Sequence, residues 1–371
     1  MPGTTDTSRD GKWVVAVLAL AAMLLICGAC QESDDSSVIT PAQTGISTVT
    51  PADSSRLPAR GYFKGFASLL PPDGDFEAIY QEASENAEFV NIWPGAADSG
   101  YWNLGSYLEG EWGANFVDKL CRGNGMFPVI NLSFIDRDPQ TGVLVLKTPE
   151  GESYSELSDP AFRSAYKEGA LEAIPASRPL YLSLGNEVNR WYEQYGAEPG
   201  DPNGFQHFVS LYEEIYDAVK EISPRTEVFC IFAREIVDEN READLAAMDL
   251  FDPDKMDVLA LTSYPFAVRG INRVSDIPDD YYSRVLDHFN SPGKPFGFTE
   301  LGWSTLEAFG TEEGQAEFLE DAAGRLTIEQ DLNLHLLGWF SLCDLEMDPH
   351  KTGLISASGK ARKAYEIWRS L

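Results

Sequence analysis

From residue 61 to the end of the chain, short apolar runs bounded by turn residues alternate with longer stretches whose apolar positions recur every three to four residues. The short runs are GYFKGFASL, EFVNIWPG, MFPVINLSF, PLYLSLGNE, EVFCIFARE, DVLALTSYPF, PFGFTELGW and HLLGWFSLCD, and each predicts a strand. Between them DFEAIYQEASENA, FVDKLCRG, DPAFRSAYKEGALEAI, FQHFVSLYEEIYDAVKEI and EEGQAEFLEDAAGRL carry helical periodicity, and KARKAYEIWRSL adds a last helix. Eight strands separated in this way predict an α/β protein with a parallel sheet, closed as a single (β/α)8 TIM barrel over residues 61–371. The alternative, an open doubly wound sheet, favours a Gly-rich phosphate turn after the first strand, and GYFKGFASLLPPDG does not match G-x-G-x-x-G.

The pattern changes before residue 61. Arg9 and Lys12 precede an apolar run from Trp13 to Ile26, too short for a membrane span of about 20 residues and suited to a signal-peptide core. Gly28-Ala29-Cys30 resembles the end of a bacterial lipobox, with Cys27 where that motif has an aliphatic residue. The resemblance implies lipidation of Cys30 and residues 1–30 as a signal segment; plain secretion is the alternative. Residues 31–60 are rich in Ser, Thr, Pro and Asp, lack any apolar period, and are expected to form a disordered tether.

Composition narrows the partners. The 371-residue chain has 59 Asp and Glu against 28 Lys and Arg, a formal net charge of -31, which disfavours nucleic acid and anionic lipid surfaces. Membrane association is expected only through a lipid anchor, and the protein is expected to be a monomer. The folded region holds three cysteines, Cys121, Cys230 and Cys343, an odd number within apolar runs that reads as free thiols. His207, His288, His335 and His350 show no metal-binding spacing, so neither a metal nor a cofactor is expected.

In a parallel barrel, functional side chains project from the carboxyl ends of the strands. The fourth run ends in Asn186-Glu187 and the seventh in Glu300, Gly302 and Trp303; the sixth gives Tyr264, the eighth Trp339, and the second Asn91 and Trp93. Carboxylates that close apolar strands are unusual, because a charge near a core needs a partner. Two carboxyls among amides, a phenol and indoles suit a sugar, whose ring faces stack on aromatic groups while its hydroxyls bond polar ones. Breaking a glycosidic bond requires one acid on the departing oxygen and one carboxylate at the anomeric carbon. Arg234 and Glu235, ending the fifth run, are further candidate substrate contacts.

With LGNEVNRW, LTSYPF and TELGWST in this order, and DPHKTGLISASGKARKAYEIW at the end, residues 61–371 resemble the clan A glycoside hydrolases, most of all the family 53 endo-β-1,4-galactanases. The resemblance implies a retaining, endo-acting hydrolase of β-linked galactan, mannan or glucan. It implies that Glu187 is the general acid/base and Glu300 the nucleophile. It further implies that Asn186 binds the sugar 2-hydroxyl, Tyr264 orients Glu300 and Trp339 lines the subsite of the attacked sugar. Asn91, Trp93 and Trp303 complete the expected binding set. Many clan members carry an Arg at the end of the second strand where this chain has Asn91-Ile92-Trp93, leaving Lys64 or Arg234 as substitutes. A glycan-binding lipoprotein without turnover and a transglycosylase are the competing readings.

Overall fold

The computed structural model describes residues 48–93, 100–152, 154–289 and 291–371. The lipobox, the signal segment and residues 31–47 of the expected tether lie outside the described residues. Eight parallel strands form the centre: β1 (Phe63–Ser68), β2 (Phe89–Ile92), β3 (Phe127–Asn131), β4 (Tyr181–Ser183), β5, β6 (Leu259–Ser263), β7 (Pro295–Leu301) and β8 (Asn333–Ser341). Strand β5 comes in two segments, Glu227–Phe229 and Ile231–Ala233, divided at Cys230. The first segment pairs with β4 and the second with β6, so the two ends of the sheet belong to one strand and the barrel closes. All eight expected strands are present, in sequence order around the barrel.

Helices cover six of the eight units. The chain packs α1 (Phe76–Ser84) before β2, and α2 (Leu104–Glu109) with a π-helical run Ala114–Cys121 before β3. It continues with α3 (Pro160–Ser177) before β4, α4 (Asn189–Tyr195) and α5 (Gln206–Ile222) before β5, α6 (Glu312–Ala322) before β8, and α7 (Lys363–Ser370) at the end. Local signals start them: Asp75, Asp159 and Thr311 are N-caps whose side chains accept from Ala78, Ala161 and Gly314 N–H groups, and Pro160 sits in the first turn. The β5–β6 and β6–β7 connections hold only 3-10 turns among the described residues.

Residues 48–60, part of the segment read as a tether, lie against the amino-terminal face of the barrel. Val49 N–H donates to Ile222 at the end of α5, Ala52 N–H donates to Arg178 after α3, and Asp53 pairs with Arg122 at 2.9 Å. This clamp is on the face opposite the strand ends that carry the candidate site. Cys121, Cys230 and Cys343 are free thiols, the first two buried. No helix among the described residues is long and apolar enough to cross a membrane.

Candidate active site

Glu187 leaves the β4–β5 ladder on a bulge. Ile231 N–H donates to the Gly185 carbonyl and Val188 N–H donates to the Ile231 carbonyl. An even parallel ladder would use the N–H of residue 187 there, so the segment carries one extra residue. Glu187 takes up the slack in the left-handed region, at φ 49°, a conformation uncommon outside glycine. Its carboxyl is thereby turned over the barrel toward β6. Thr262 Oγ1 donates to Glu187 Oε1 at 2.8 Å, and Arg190, one turn on, donates to Oε2 at 3.0 Å. The other arm of Arg190 holds Asp238 at 3.0 Å, which also faces Arg137 at 3.4 Å.

Glu300 lies on β7, and its register partner on β6 is Thr262, the residue that bonds Glu187. The two carboxyls therefore flank one strand end. Tyr264 OH donates to Glu300 Oε2 at 2.7 Å. Burial, with the nearby Glu187 charge adding to it, pushes the Glu300 carboxyl up to about 7 against the opposing Tyr264 bond. Burial first, then the Glu300 and Glu187 charges, hold the Tyr264 phenol well above its usual range, so it stays a neutral donor. Gly302 makes room for this tyrosine: a Cβ there would stand 2.9 Å from the phenol ring.

Tyr264 is fixed from below by Glu235. The Glu235 carboxylate accepts from Tyr264 N–H at 2.7 Å, Ser263 Oγ at 2.9 Å and Tyr281 OH at 2.8 Å. Burial lifts this acid to about 7, while the Arg234 charge and the three donors oppose the lift. Arg234 is buried, donates to Glu242 at 2.7 Å and lies 3.8 Å over the Tyr281 ring. Both groups ending β5 are thus engaged by protein, not presented to a ligand.

The remaining candidates divide between mouth and wall. Asn186 keeps a buried side-chain oxygen with no protein hydrogen-bond partner among the described residues, as does Asn91. Asn91 Nδ2 donates across the barrel to the Thr299 carbonyl at 2.9 Å. Trp93 follows β2 and is half-buried. Trp339 and Trp303 are in the wall: both rings pack on Phe318 of α6, at 6.3 and 5.1 Å, and the Trp339 indole N–H donates to the Thr352 carbonyl. Strand alternation puts the next residue, Phe340, on the opposite face, and its ring lies 5.9 Å from Tyr264. Neither possible substitute for the strand-two Arg meets Glu300, since Lys64 donates to the Trp368 carbonyl of α7 and Arg234 is held as above. Among the described residues no set of three His, Cys, Asp or Glu side chains is arranged to hold a metal ion.

Thr262, Arg190 and Phe340 join the site without having been singled out in the sequence. Arg190 stands three residues after Glu187 at the start of a helix, a spacing that brings side chains together and that LGNEVNRW displays openly.

No protein-family model matches this chain, and no characterised protein matches it by sequence. Solved structures do resemble it. A fungal β-1,4-galactanase aligns at 15% identity with a TM-score of 0.54, over 83% of this chain and 99% of its own. The exo-β-1,4-mannosidase of Opitutaceae bacterium strain TAV5 aligns at 16% identity and TM-score 0.57, over 85% of this chain and 61% of its own. A β-glucuronidase of Bifidobacterium dentium aligns at 16% identity and TM-score 0.51, over 83% of this chain and 46% of its own, so this chain spans less than half of that protein. At these identities the likeness is one of fold: this chain shares the (β/α)8 TIM barrel of glycoside hydrolases.

Proposed function

We propose that this protein is an exported, lipid-anchored, retaining glycoside hydrolase that cleaves β-linked, neutral glycans of the galactan, mannan or glucan type. The observation that carries the reading is the pair Glu187 and Glu300, on separate strands yet joined through Thr262, with the charge of one raising the proton affinity of the other. In the proposed reaction, protonated Glu187 delivers its proton to the departing glycosidic oxygen while Glu300 attacks the anomeric carbon. Water, deprotonated by Glu187, then releases the sugar with its configuration kept. The buried, unpartnered oxygen of Asn186 is an acceptor for a sugar hydroxyl, and Phe340 offers a ring face beside Tyr264.

A second reading exchanges the two roles, and one observation favours it. Arg190 and Thr262 both donate to Glu187, so a cation and a hydroxyl face it, whereas among the described residues Glu300 has one side-chain donor, the neutral Tyr264. On that reading Glu300 is the acid and Glu187 the nucleophile. The first reading requires Glu187 to carry the proton and Glu300 to be the anion when the sugar binds.

The test is a screen of the purified protein against β-1,4-galactan, mannan, mixed-linkage glucan and xylan. Products are resolved by size and their anomeric configuration is read by NMR before mutarotation. Retained β-products from at least one polymer are expected. Inverted products would overturn the double displacement, and no product from any polymer would favour a glycan-binding protein without turnover.

A further inference from the structure

Beyond Phe298, strand β7 carries one residue more than either neighbour; on β8 an opposite shift, between Leu334 and Leu336, precedes it. Leu261 and Thr262 of β6 pair with Phe298 and Glu300, passing over Thr299. On the other side, Leu337 and Trp339 of β8 pair with Phe298 and Leu301, two steps against three. The side chains agree. Phe298 packs on Tyr282 at 4.8 Å and Trp303, two residues past the end of β7, packs on Phe318 at 5.1 Å, both outside the barrel, although they stand five positions apart. An unbroken strand cannot put residues at odd spacing on one face. Continued alternation from Phe296 and Phe298 would turn Glu300 outward as well, away from Glu187. The bulge at Thr299 inverts the alternation and brings Glu300 to the mouth with Gly302.

Two neighbours accommodate the bulge. Asn91 Nδ2, from β2, reaches the Thr299 carbonyl at 2.9 Å, and both residues are buried. On β8, Gly338 leaves the space into which the bulged backbone projects; a Cβ there would stand 2.7 Å from the Thr299 oxygen and 2.8 Å from that of Phe298. We propose that Asn91 is a positioning residue, whose amide holds the bulged Thr299 carbonyl and so aims Glu300 at Tyr264 and Glu187. The proposal rests on the reading of Glu187 and Glu300 as the catalytic pair. The role runs through the backbone of β7, not through the oxygens of Glu300.

Asn91→Ala removes the donor. Asn91→Asp keeps the size and packing and replaces the donor with an acceptor that the carbonyl repels. Gly338→Ala crowds the bulge from the other side. Each is expected to lower kcat by about 10- to 100-fold with KM within about twofold, as for a misplaced catalytic group. Asn91→Ala combined with Gly338→Ala is expected to be little worse than the poorer single variant, because both act on one bulge. A readout without turnover accompanies these: the carboxyl 13C titration of Glu300, identified by its loss in Glu300→Gln. In the otherwise unchanged protein, Glu187→Gln is expected to lower the Glu300 midpoint. In the Asn91 variants that lowering is expected to shrink, since the two carboxyls no longer face each other. A raised KM with kcat preserved would make Asn91 a sugar contact and overturn the proposal, as would an undiminished response to Glu187→Gln. Failure of the unchanged protein to cleave any glycan would sink the functional reading, while the titration would still decide the role of Asn91.

Discussion

Glu300→Gln is expected to abolish turnover and at the same time to stabilise the fold above neutral pH. The Glu300 carboxyl stands at about 7 against an ordinary 4.5, so the folded protein holds a proton that the unfolded chain releases. A group whose folded pKa is raised contributes its full stability below pH 4.5 and loses it as pH climbs through about 7. At about 1.4 kcal/mol for each unit, the whole shift corresponds to roughly 3 kcal/mol of disfavoured ionisation. The mouth admits solvent, which leaves about 1–2 kcal/mol as the expected gain. Glutamine cannot ionise, and its carbonyl still accepts from Tyr264. For a chain of this length the gain corresponds to a Tm higher by about 1–3 °C. The assay is thermal unfolding of both proteins from about pH 4 to pH 8.5, spanning the window in which the two states differ in bound protons. The curves should coincide at the acid end and separate through the window. Glu235, also at about 7, gives both proteins a shared decline with pH, and only the difference between them reports Glu300. A Gln variant less stable at pH 8, or a difference that does not change with pH, would refute the reasoning.

Tyr264→Phe removes a side-chain donor to Glu300 and is expected to move the acidic limb of the pH–rate profile to higher pH by about one unit, because that bond favours the ionised form; an unmoved limb counts against the assignment. Trp339→Ala is expected to cost about 3–5 kcal/mol in denaturant unfolding as a buried ring is lost, whereas Trp339→Phe should leave KM unchanged. Phe340→Ala should instead raise KM several-fold with little loss of stability, and the reverse pattern would put the indole in the sugar site. Cys30→Ala is expected to lose lipid labelling and leave the membrane fraction, and a variant that remains membrane-bound after signal cleavage would contradict lipid anchoring.

All eight strands were legible because each is an apolar run closed by turn residues, and the acids stood out because Glu187 and Glu300 end such runs. What the pattern does not carry is facing. In HLLGWFSL both faces of β8 are apolar, so nothing in the run says that Trp339 packs on α6 and Phe340 looks inward. The bulges at Glu187 and Thr299 are equally hidden, since each inserts one residue without altering composition. Gly338 was a visible sign, a glycine inside a strand where another backbone comes close. The helix-poor β5–β6 and β6–β7 connections match the missing helical period between EVFCIFARE and PFGFTELGW. Residues 48–60 carry no periodicity because they are fixed by backbone hydrogen bonds and two ion pairs, Asp53 with Arg122 and Arg60 with Glu88, not by a periodic apolar face.

The central claim, a double displacement with Glu187 as acid/base and Glu300 as nucleophile, is tested most directly by azide rescue. Glu187→Ala and Glu300→Ala are each given an aryl β-glycoside of the sugar found in the screen, with a leaving group that departs without protonation. In Glu187→Ala the glycosyl intermediate should accumulate, and azide should restore turnover with the β-glycosyl azide as product. Glu300→Ala should lack the intermediate altogether. Rescue of Glu300→Ala to the β-azide, with Glu187→Ala inert, would exchange the two roles. An α-azide from Glu187→Ala would contradict the covalent intermediate itself.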